Sequence, residues 1–218
     1  MAKKIGVLLS GCGVFDGAEI HEAVLTLLFL DRSGASVLCM APDVDQLHVI
    51  NHLTQQVSDE RRNVLVESAR IARGDIQDIS AVGADDIDAL IIPGGFGAAK
   101  NLSDFAVKGP EAQVHPQVRR LLEGMADRSK PIGAVCIAPA TVVCALSKRS
   151  PQVTIGNDVG TASGIESMGG IHTVCSVTDI CMDEKNRLVT TPAYMLGPGI
   201  KDVATGIEKL VNKILSLC

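Results

Sequence analysis

The sequence predicts an α/β protein built around a mainly parallel β-sheet, and three features carry that prediction. Short apolar runs alternate along the chain with longer segments of helical periodicity, as in consecutive βαβ units. Hydrophobic residues make up 46% of the chain but include one Tyr, four Phe and no Trp, which favours aliphatic strands buried on both faces. A chain of 218 residues suits one large domain, so we expect a single domain over residues 1–218.

The predicted elements follow one another in regular alternation. Apolar runs predict strands, and helical periodicity predicts the segments between them. We expect strands over 4–9, 35–40, 88–92 and 131–135, and helices over 18–33, 60–73, 116–127, 139–146 and 199–217. The segments 180–182 and 187–191 flank a polar turn and predict a β-hairpin.

Charge, hydropathy and cysteine content exclude several classes of protein. The chain has 20 Lys plus Arg against 25 Asp plus Glu, without a basic segment that carries aromatic residues, so we expect no nucleic-acid partner. No apolar run approaches the roughly 18 residues that span a bilayer, and the first four residues lead directly into a predicted strand rather than an apolar signal segment, so we expect no membrane association. Seven scattered Cys predict a reducing compartment such as the cytoplasm.

The segment around Cys136 has the form of a nucleophile elbow, in which a strand turns sharply into a helix and presents one side chain. Ala134 and Ala138 are small enough to flank such a turn, and Pro139 is tolerated in the first turn of a helix. A cysteine at a helix N-terminus is favoured as the thiolate by the helix dipole. The alternative is a packed, unreactive cysteine, which Cys39 and Cys144 are expected to be.

Three loops follow predicted parallel strands, over 10–17, 93–97 and 136–139. Because functional crevices form at the carboxyl ends of such strands, we expect these loops to converge. The backbone N–H groups of Gly95 and Ile137 are then candidates for an oxyanion hole. A simple tight turn is the alternative for the glycines of the second loop.

Glu22 is the candidate acid/base, because a partly buried carboxylic acid beside a thiolate donates a hydrogen bond and transfers protons. Glu19 lies one helical turn earlier and stays an alternative, since exposed carboxylates also cap helices. His21, His115 and His172 are weak candidates for a Cys-His pair, because motif order alone is poor evidence of catalysis.

The sequence does not match the common cofactor-binding and metal-binding motifs. The glycines between Gly11 and Gly17 lack the dinucleotide-binding spacing, His48 and His52 lack the glutamate of a zinc motif, and the chain has no C-x-x-C. We therefore expect no cofactor and no metal.

Four motifs together resemble the ElbB-type, isoprenoid-biosynthesis-associated subfamily within the DJ/PfpI branch of the class I glutamine amidotransferase-like superfamily. They are SGCGVFDGAEIHE (10–22), PGGFGAAKNLS (93–103), CIAP (136–139) and TTPAYM (190–195). The resemblance implies a flavodoxin-like three-layer sandwich. It also implies a glyoxalase that converts glyoxal to glycolate without glutathione or metal.

Carried over to this chain, the resemblance implies that Cys136 is the nucleophile and Glu22 its carboxyl partner, with Gly95 and Ile137 as backbone donors. The pocket is expected to be lined by Cys12, Glu19, Gly94, Asn101 and Tyr194. A homodimer acting on a small aldehyde is expected, and relatives in eukaryotes are mitochondrial.

Two departures from the wider superfamily argue against glutaminase and protease activity. Ile137 follows the elbow cysteine where many PfpI-type hydrolases have His, and the amidotransferase His-Glu pair near the C-terminus is missing. Because the wider branch includes chaperones and stress-response proteins, a redox or stress sensor that uses the same cysteine is the alternative function.

Overall fold

A computed structural model describes residues 2–218, and these residues form an α/β sandwich. The central sheet consists of seven strands: β1 (Lys4–Leu8), β2 (Ser36–Ala41), β5 (Gln77–Asp78), β6 (Ala89–Ile92), β7 (Ile132–Val135), β10 (Cys181–Asp183) and β11 (Leu188–Thr191). Their spatial order is β10-β11-β7-β6-β1-β2-β5. All neighbours pair in parallel except β10 and β11, which form the predicted antiparallel hairpin.

Two short strand pairs lie outside the main sheet. The pairs are β3 (Val49–Asn51) with β4 (Gln56–Ser58), and β8 (Gln152–Val153) with β9 (Ile171–His172). Neither pair was predicted, because runs of two or three polar and apolar residues carry no measurable periodicity.

Helices cover both faces of the sheet: α1 (Ile20–Arg32), α2 (Val64–Ile71), α3 (Phe96–Lys100), α4 (Phe105–Lys108), α5 (Pro116–Asp127), α6 (Ala138–Leu146), α7 (Val159–Ser167) and α8 (Ile200–Leu217). Helices α1 and α8 pack together against one face, and α5 and α6 pack together against the other. The fold is therefore the flavodoxin-like three-layer sandwich that the sequence resemblance implied.

The core is aliphatic, as the composition predicted. Every residue of β6 and β7 is buried, and the buried face of α8 contributes Val203, Ile207, Leu210, Val211 and Ile214. Both faces of the central strands are thus covered by side chains, which is the packing expected of a parallel sheet.

The predicted main elements are present, and their boundaries differ by a few residues. The largest difference concerns α2, which was expected to begin at residue 60 and begins at Val64. Asn63 caps this helix, since its side chain accepts a hydrogen bond from the Val66 N–H. The short helices α3, α4 and α7 were not predicted, and they become important beside the site described below.

The burial of two cysteines agrees with the prediction from the sequence. All seven cysteines are free, and Cys39 and Cys144 are buried as expected. Among residues 2–218, no helix combines the length and the apolar character needed to cross a bilayer.

Candidate active site

Three loops converge at the carboxyl edge of the sheet, and backbone hydrogen bonds join them. The Phe96 N–H donates to the Val14 carbonyl at 2.8 Å, and the Gly97 N–H donates to the Gly17 carbonyl at 2.9 Å. In the opposite direction, the Glu19 N–H donates to the Gly94 carbonyl at 2.9 Å. These bonds hold the loop after β1 against the loop after β6, which lies beside the end of β7.

Cys136 stands at the sharp turn between β7 and α6. Its φ angle is 62°, in the left-handed region that non-glycine residues seldom occupy. Its N–H donates to the Thr191 carbonyl at 2.9 Å, which ties the turn to the end of β11. Such a backbone conformation is costly and is maintained only by its surroundings, as expected of a nucleophile elbow.

Gly94 is required for the close approach of the two loops. A Cβ atom at this position would lie 2.3 Å from the Cys136 Cβ and 2.5 Å from the Glu22 Oε2. Both distances are far shorter than van der Waals contact, so a larger residue would push the cysteine and the carboxyl group away. The absence of a side chain at Gly94 brings the two functional groups together.

The Glu22 carboxyl group is buried in α1 with 0% exposure, and it lies against the Cys136 thiol. Its Oε2 accepts a hydrogen bond from the Gly94 N–H at 3.0 Å, and its Oε1 accepts one from the Tyr194 N–H at 3.2 Å. Two backbone donors from separate loops thus fix the orientation of this carboxyl group toward the cysteine.

Burial, and after it the nearby Glu19 carboxylate, raise the pKa of Glu22 to about 8. The hydrogen bonds from Tyr194 and Gly94 oppose this shift only partly, because they favour the ionised form. At neutral pH the Glu22 carboxyl group is therefore protonated and able to donate a hydrogen bond.

Burial also raises the pKa of the Cys136 thiol, and Glu22 raises it again once its carboxyl group is ionised. The N–H groups of Gly95 and Ile137 face the sulfur and lower the pKa, but burial outweighs them. The expectation that the helix N-terminus makes this cysteine a ready thiolate is thus wrong in direction. The residue is 7% exposed, so desolvation dominates the dipole.

Glu19 caps a helix, whereas Glu22 contacts the cysteine. It is the N-cap residue of α1, and its Oε2 accepts a hydrogen bond from the Glu22 N–H at 2.7 Å. This bond satisfies a donor that the first turn of the helix leaves free. Between the two candidates that the sequence left open, the structure therefore places Glu22 against the sulfur.

Tyr194 lies at the site, where its backbone N–H binds Glu22. Its hydroxyl group is 2.8 Å from the Nδ1 of His21, and the two rings lie 5.8 Å apart. This pair sits at the outer side of α1 and was not predicted. The residues next to His21 in the sequence did not indicate that it would contact a residue more than 170 positions away.

Two residues expected to line the pocket have other contacts. The side chain of Asn101 is buried and braces the first loop, because its Nδ2 donates to the carbonyl groups of Ser10 and Asp16, both at 2.9 Å. The charged groups with the largest effect on the pKa of Cys12 are Glu67, which raises it, and Arg70, which lowers it. No described contact joins either residue to Cys136 or Glu22, so their place in the pocket stays a prediction.

The three histidines considered as partners also lie apart from the sulfur. His115 precedes α5, and the Nε2 of His172 accepts a bond from the Ile155 N–H at 3.4 Å. His21 contacts Tyr194 instead. Within residues 2–218, no hydrogen bond pairs a histidine with Cys136.

An apolar cleft of about 330 Å³ adjoins the elbow. Its lining comes mostly from the three short helices that the sequence did not predict, α3, α4 and α7, and from the elbow itself. The lining residues are Phe96, Ala99, Phe105, Ala106, Gly109, Pro110, Ile137, Gly160, Thr161 and Gly164.

The fold and the elbow define a class I glutamine amidotransferase-like domain whose elbow residue is a cysteine. Solved structures of the DJ-1 superfamily share the fold, among them Drosophila melanogaster DJ-1beta, with a TM-score of 0.58, 19% identity and coverage of 100% of this chain and 96% of that chain. No family model matches the sequence.

Full-length relatives identify the family more narrowly. The human glutamine amidotransferase-like class 1 domain-containing protein 3, mitochondrial, is 47% identical over 99% of this chain and 84% of its own length. The zebrafish (Danio rerio) ES1 protein, mitochondrial, is 35% identical over 88% of this chain and 76% of its own length. The chain therefore belongs to the ES1 family of glutamine amidotransferase-like class 1 domain proteins.

One solved structure is similar over its whole length. It is the isoprenoid biosynthesis protein with amidotransferase-like domain from Ehrlichia chaffeensis, with a TM-score of 0.93, 39% identity and coverage of 99% of both chains. This similarity extends the family relationship from sequence to structure.

Proposed function

We propose that the protein is a glutathione-independent glyoxalase that converts small 2-oxoaldehydes to 2-hydroxy acids, with glyoxal giving glycolate. One observation carries the proposal: a buried Glu22 carboxyl group, protonated at neutral pH, lies against a cysteine on a strained elbow. A carboxylic acid beside a thiol supplies the acid and the base that an intramolecular rearrangement of a 2-oxoaldehyde requires.

The first step is the addition of Cys136 to the aldehyde. The fraction of Glu22 that is ionised at neutral pH takes the proton of the Cys136 thiol, and the thiolate sulfur so formed makes a bond to the aldehyde carbon, C1. Glu22 gives its proton to the oxygen on C1, which yields a hemithioacetal and a carboxylate. The N–H groups of Gly95 and Ile137 face the sulfur and are placed to stabilise negative charge close to it.

The second step moves hydrogen between the two substrate carbons. The Glu22 carboxylate removes the hydrogen on C1 as a proton and returns it to C2, and the hydroxyl proton passes from the C1 oxygen to the C2 oxygen. C1 is thereby oxidised to a thioester and C2 is reduced to an alcohol, so no external oxidant is needed. Water then cleaves the thioester and releases the 2-hydroxy acid and the free thiol.

The redox-sensor alternative is less well supported. Sensor cysteines combine a low pKa with exposure, whereas burial raises the pKa of Cys136 and its exposure is 7%. The presence of a proton donor in contact with the thiol favours turnover instead. Saturable kinetics with glyoxal, against selective peroxide oxidation of Cys136 without turnover, separates the two functions.

The test is glycolate production from glyoxal by the purified protein. Cys136→Ala is expected to lower kcat by at least about 1,000-fold, and Glu22→Gln by about 100-fold or more, because each removes a group that takes part in bond making or proton transfer. Cys144→Ala is the matched control, since this buried cysteine also belongs to α6 but its sulfur donates to the Ala112 carbonyl. Equal rates in all four proteins would exclude the mechanism.

Two further expectations belong to the same proposal. The homodimer implied by the sequence resemblance stays a prediction, which light scattering of the purified protein tests. The mitochondrial names of the human and zebrafish relatives agree with a mitochondrial compartment if this chain comes from a eukaryote, and a cytoplasmic one is expected otherwise.

A further inference from the structure

The apolar cleft beside the elbow is larger than the smallest 2-oxoaldehyde requires. Its volume is about 330 Å³, within the range of roughly 300 to 1,000 Å³ that small-molecule sites occupy. An apolar cavity of about 150 Å³ already holds a benzene molecule. Glyoxal, with two carbons, would leave most of the cleft empty.

The cleft is continuous with the residues that face the Cys136 sulfur. Ile137 has its N–H toward the sulfur and also contributes to the lining of the cleft. Gly95 faces the sulfur in the same way, and the next residue, Phe96, forms part of the lining while 45% of it is exposed. Cys136 and Glu22 do not line the cleft themselves, so a substrate bonded to the sulfur would reach the cleft by extending past Ile137 and Phe96.

The chemistry of the lining selects the kind of group that fits. No Asp, Glu, Lys or Arg lines the cleft, and Thr161 is the one side chain in its lining that carries a hydroxyl group. Burial of an apolar group in such surroundings contributes roughly 0.8 kcal/mol per CH₂. A charged substituent would lose its hydration there without gaining a partner.

We infer that the cleft is a subsite for an apolar substituent on the carbonyl carbon C2, so that the preferred substrates are 2-oxoaldehydes with an aliphatic or aromatic side chain. This inference rests on the proposed glyoxalase function. The products are the corresponding 2-hydroxy acids, such as mandelate from phenylglyoxal. As with glyoxal, C1 is oxidised and C2 is reduced, so no external oxidant is needed.

Gly160 offers a way to fill the cleft without disturbing the elbow. It lies in the first turn of α7, and the nearest atom to a Cβ built there is the Asp158 Oδ1 at 3.6 Å, so the backbone accepts a side chain. Gly160→Leu places an isobutyl group into the subsite. Ser163→Leu is the matched control, because Ser163 is exposed on the same helix and is outside the lining.

The experiment compares kcat/KM for phenylglyoxal and glyoxal in the three proteins. Gly160→Leu is expected to lower kcat/KM at least about tenfold for phenylglyoxal and less than about twofold for glyoxal, since only the larger substrate needs the filled space. Ser163→Leu is expected to change neither value. Equal changes with both substrates, or none, would overturn the subsite.

Calorimetric binding of the products tests the subsite independently of turnover. Mandelate is expected to bind the wild-type protein at least about tenfold more tightly than glycolate, and Gly160→Leu is expected to abolish that preference. If no substrate is turned over but this preference holds, the glyoxalase proposal fails and the subsite stands. If Gly160→Leu instead dissociates a dimer and leaves substrate selectivity unchanged, the cleft is a contact between two copies of the chain.

Discussion

Cys12 and Cys136 occupy comparable places in the fold and have different surroundings. Each follows a central parallel strand at the carboxyl edge of the sheet. Cys12 has glycines on either side, and Cys136 has Ala134 and Ala138 two positions away. Cys12 is partly exposed, within a loop that closes on itself through a bond from the Gly17 N–H to the Gly13 carbonyl at 2.7 Å. Cys136 is buried at the left-handed elbow.

The difference lies in what faces each sulfur. A protonated carboxyl group and two backbone N–H groups surround Cys136, whereas the pKa of Cys12 is raised by burial and by Glu67 and lowered by Arg70. A place at the carboxyl end of a strand is therefore not enough to define a site. The contact with an acid from a different element distinguishes one cysteine from the other.

The largest expected effect concerns the pH dependence of stability, which distinguishes the buried acid beside Cys136. The pKa of Glu22 rises from its ordinary value near 4.5 to about 8 in the folded protein, so between these values the unfolded chain binds fewer protons than the folded one. The free energy of unfolding therefore falls as pH rises, by about 1.4 kcal/mol per pH unit from this group.

Urea unfolding of wild type and Glu22→Gln from pH 5 to pH 8 measures this contribution. Glu22→Gln is expected to remove a decline of about 3.5 kcal/mol over that range, whatever its stability at pH 5. Glu208→Gln is the control, because Glu208 is exposed on α8, and it should retain the wild-type slope. Parallel curves for wild type and Glu22→Gln would show that this carboxyl group is not held protonated.

The second prediction concerns the space between Glu22 and Cys136. Gly94→Ala is expected to lower kcat for glyoxal at least about 100-fold, because the new methyl group displaces both functional groups and small misplacements of reacting atoms have effects of that size. Gly199→Ala is the control, since a Cβ there meets no atom within 4 Å. Full activity in Gly94→Ala would contradict the close approach of the two loops.

The third prediction compares the two sulfurs directly. Iodoacetamide at pH 7 is expected to modify Cys12 at least about tenfold faster than Cys136, because alkylation requires an accessible thiolate and Cys136 is the more deeply buried of the two. Peptide mass spectrometry over time measures both rates in the same sample. Faster modification of Cys136 would mean that its thiol ionises more readily than its burial implies.

The smallest expected effect belongs to Tyr194. Tyr194→Phe removes the hydroxyl group that pairs with His21 but keeps the backbone N–H that binds Glu22. The free energy of unfolding is expected to fall by about 1 kcal/mol or less, and kcat is expected to change by less than about threefold. A loss as large as that of Glu22→Gln would mean that the hydroxyl group takes part in the reaction.

Much of the site was predictable because its parts are local in sequence. The elbow around Cys136 depends on a strand followed directly by the cysteine and a helix, with Ala134 and Ala138 two positions on either side of the cysteine. Gly94 and Gly95 likewise lie just after a predicted strand. The direction of the Cys136 pKa was not predictable, because it depends on how much water the folded chain removes from the sulfur. The same holds for the choice between Glu19 and Glu22, which sequence spacing alone left open.

The sequence by itself determined the sheet apart from its edge strand β5, the main helices, the aliphatic core and the elbow, since periodicity and turn chemistry act over neighbouring residues. Only the tertiary structure decided which carboxyl group meets the sulfur, that Asn101 braces a loop, and that three short helices enclose an apolar cleft. Those features join residues far apart in the chain, and their energies come from packing and desolvation, which exist only once the chain has folded.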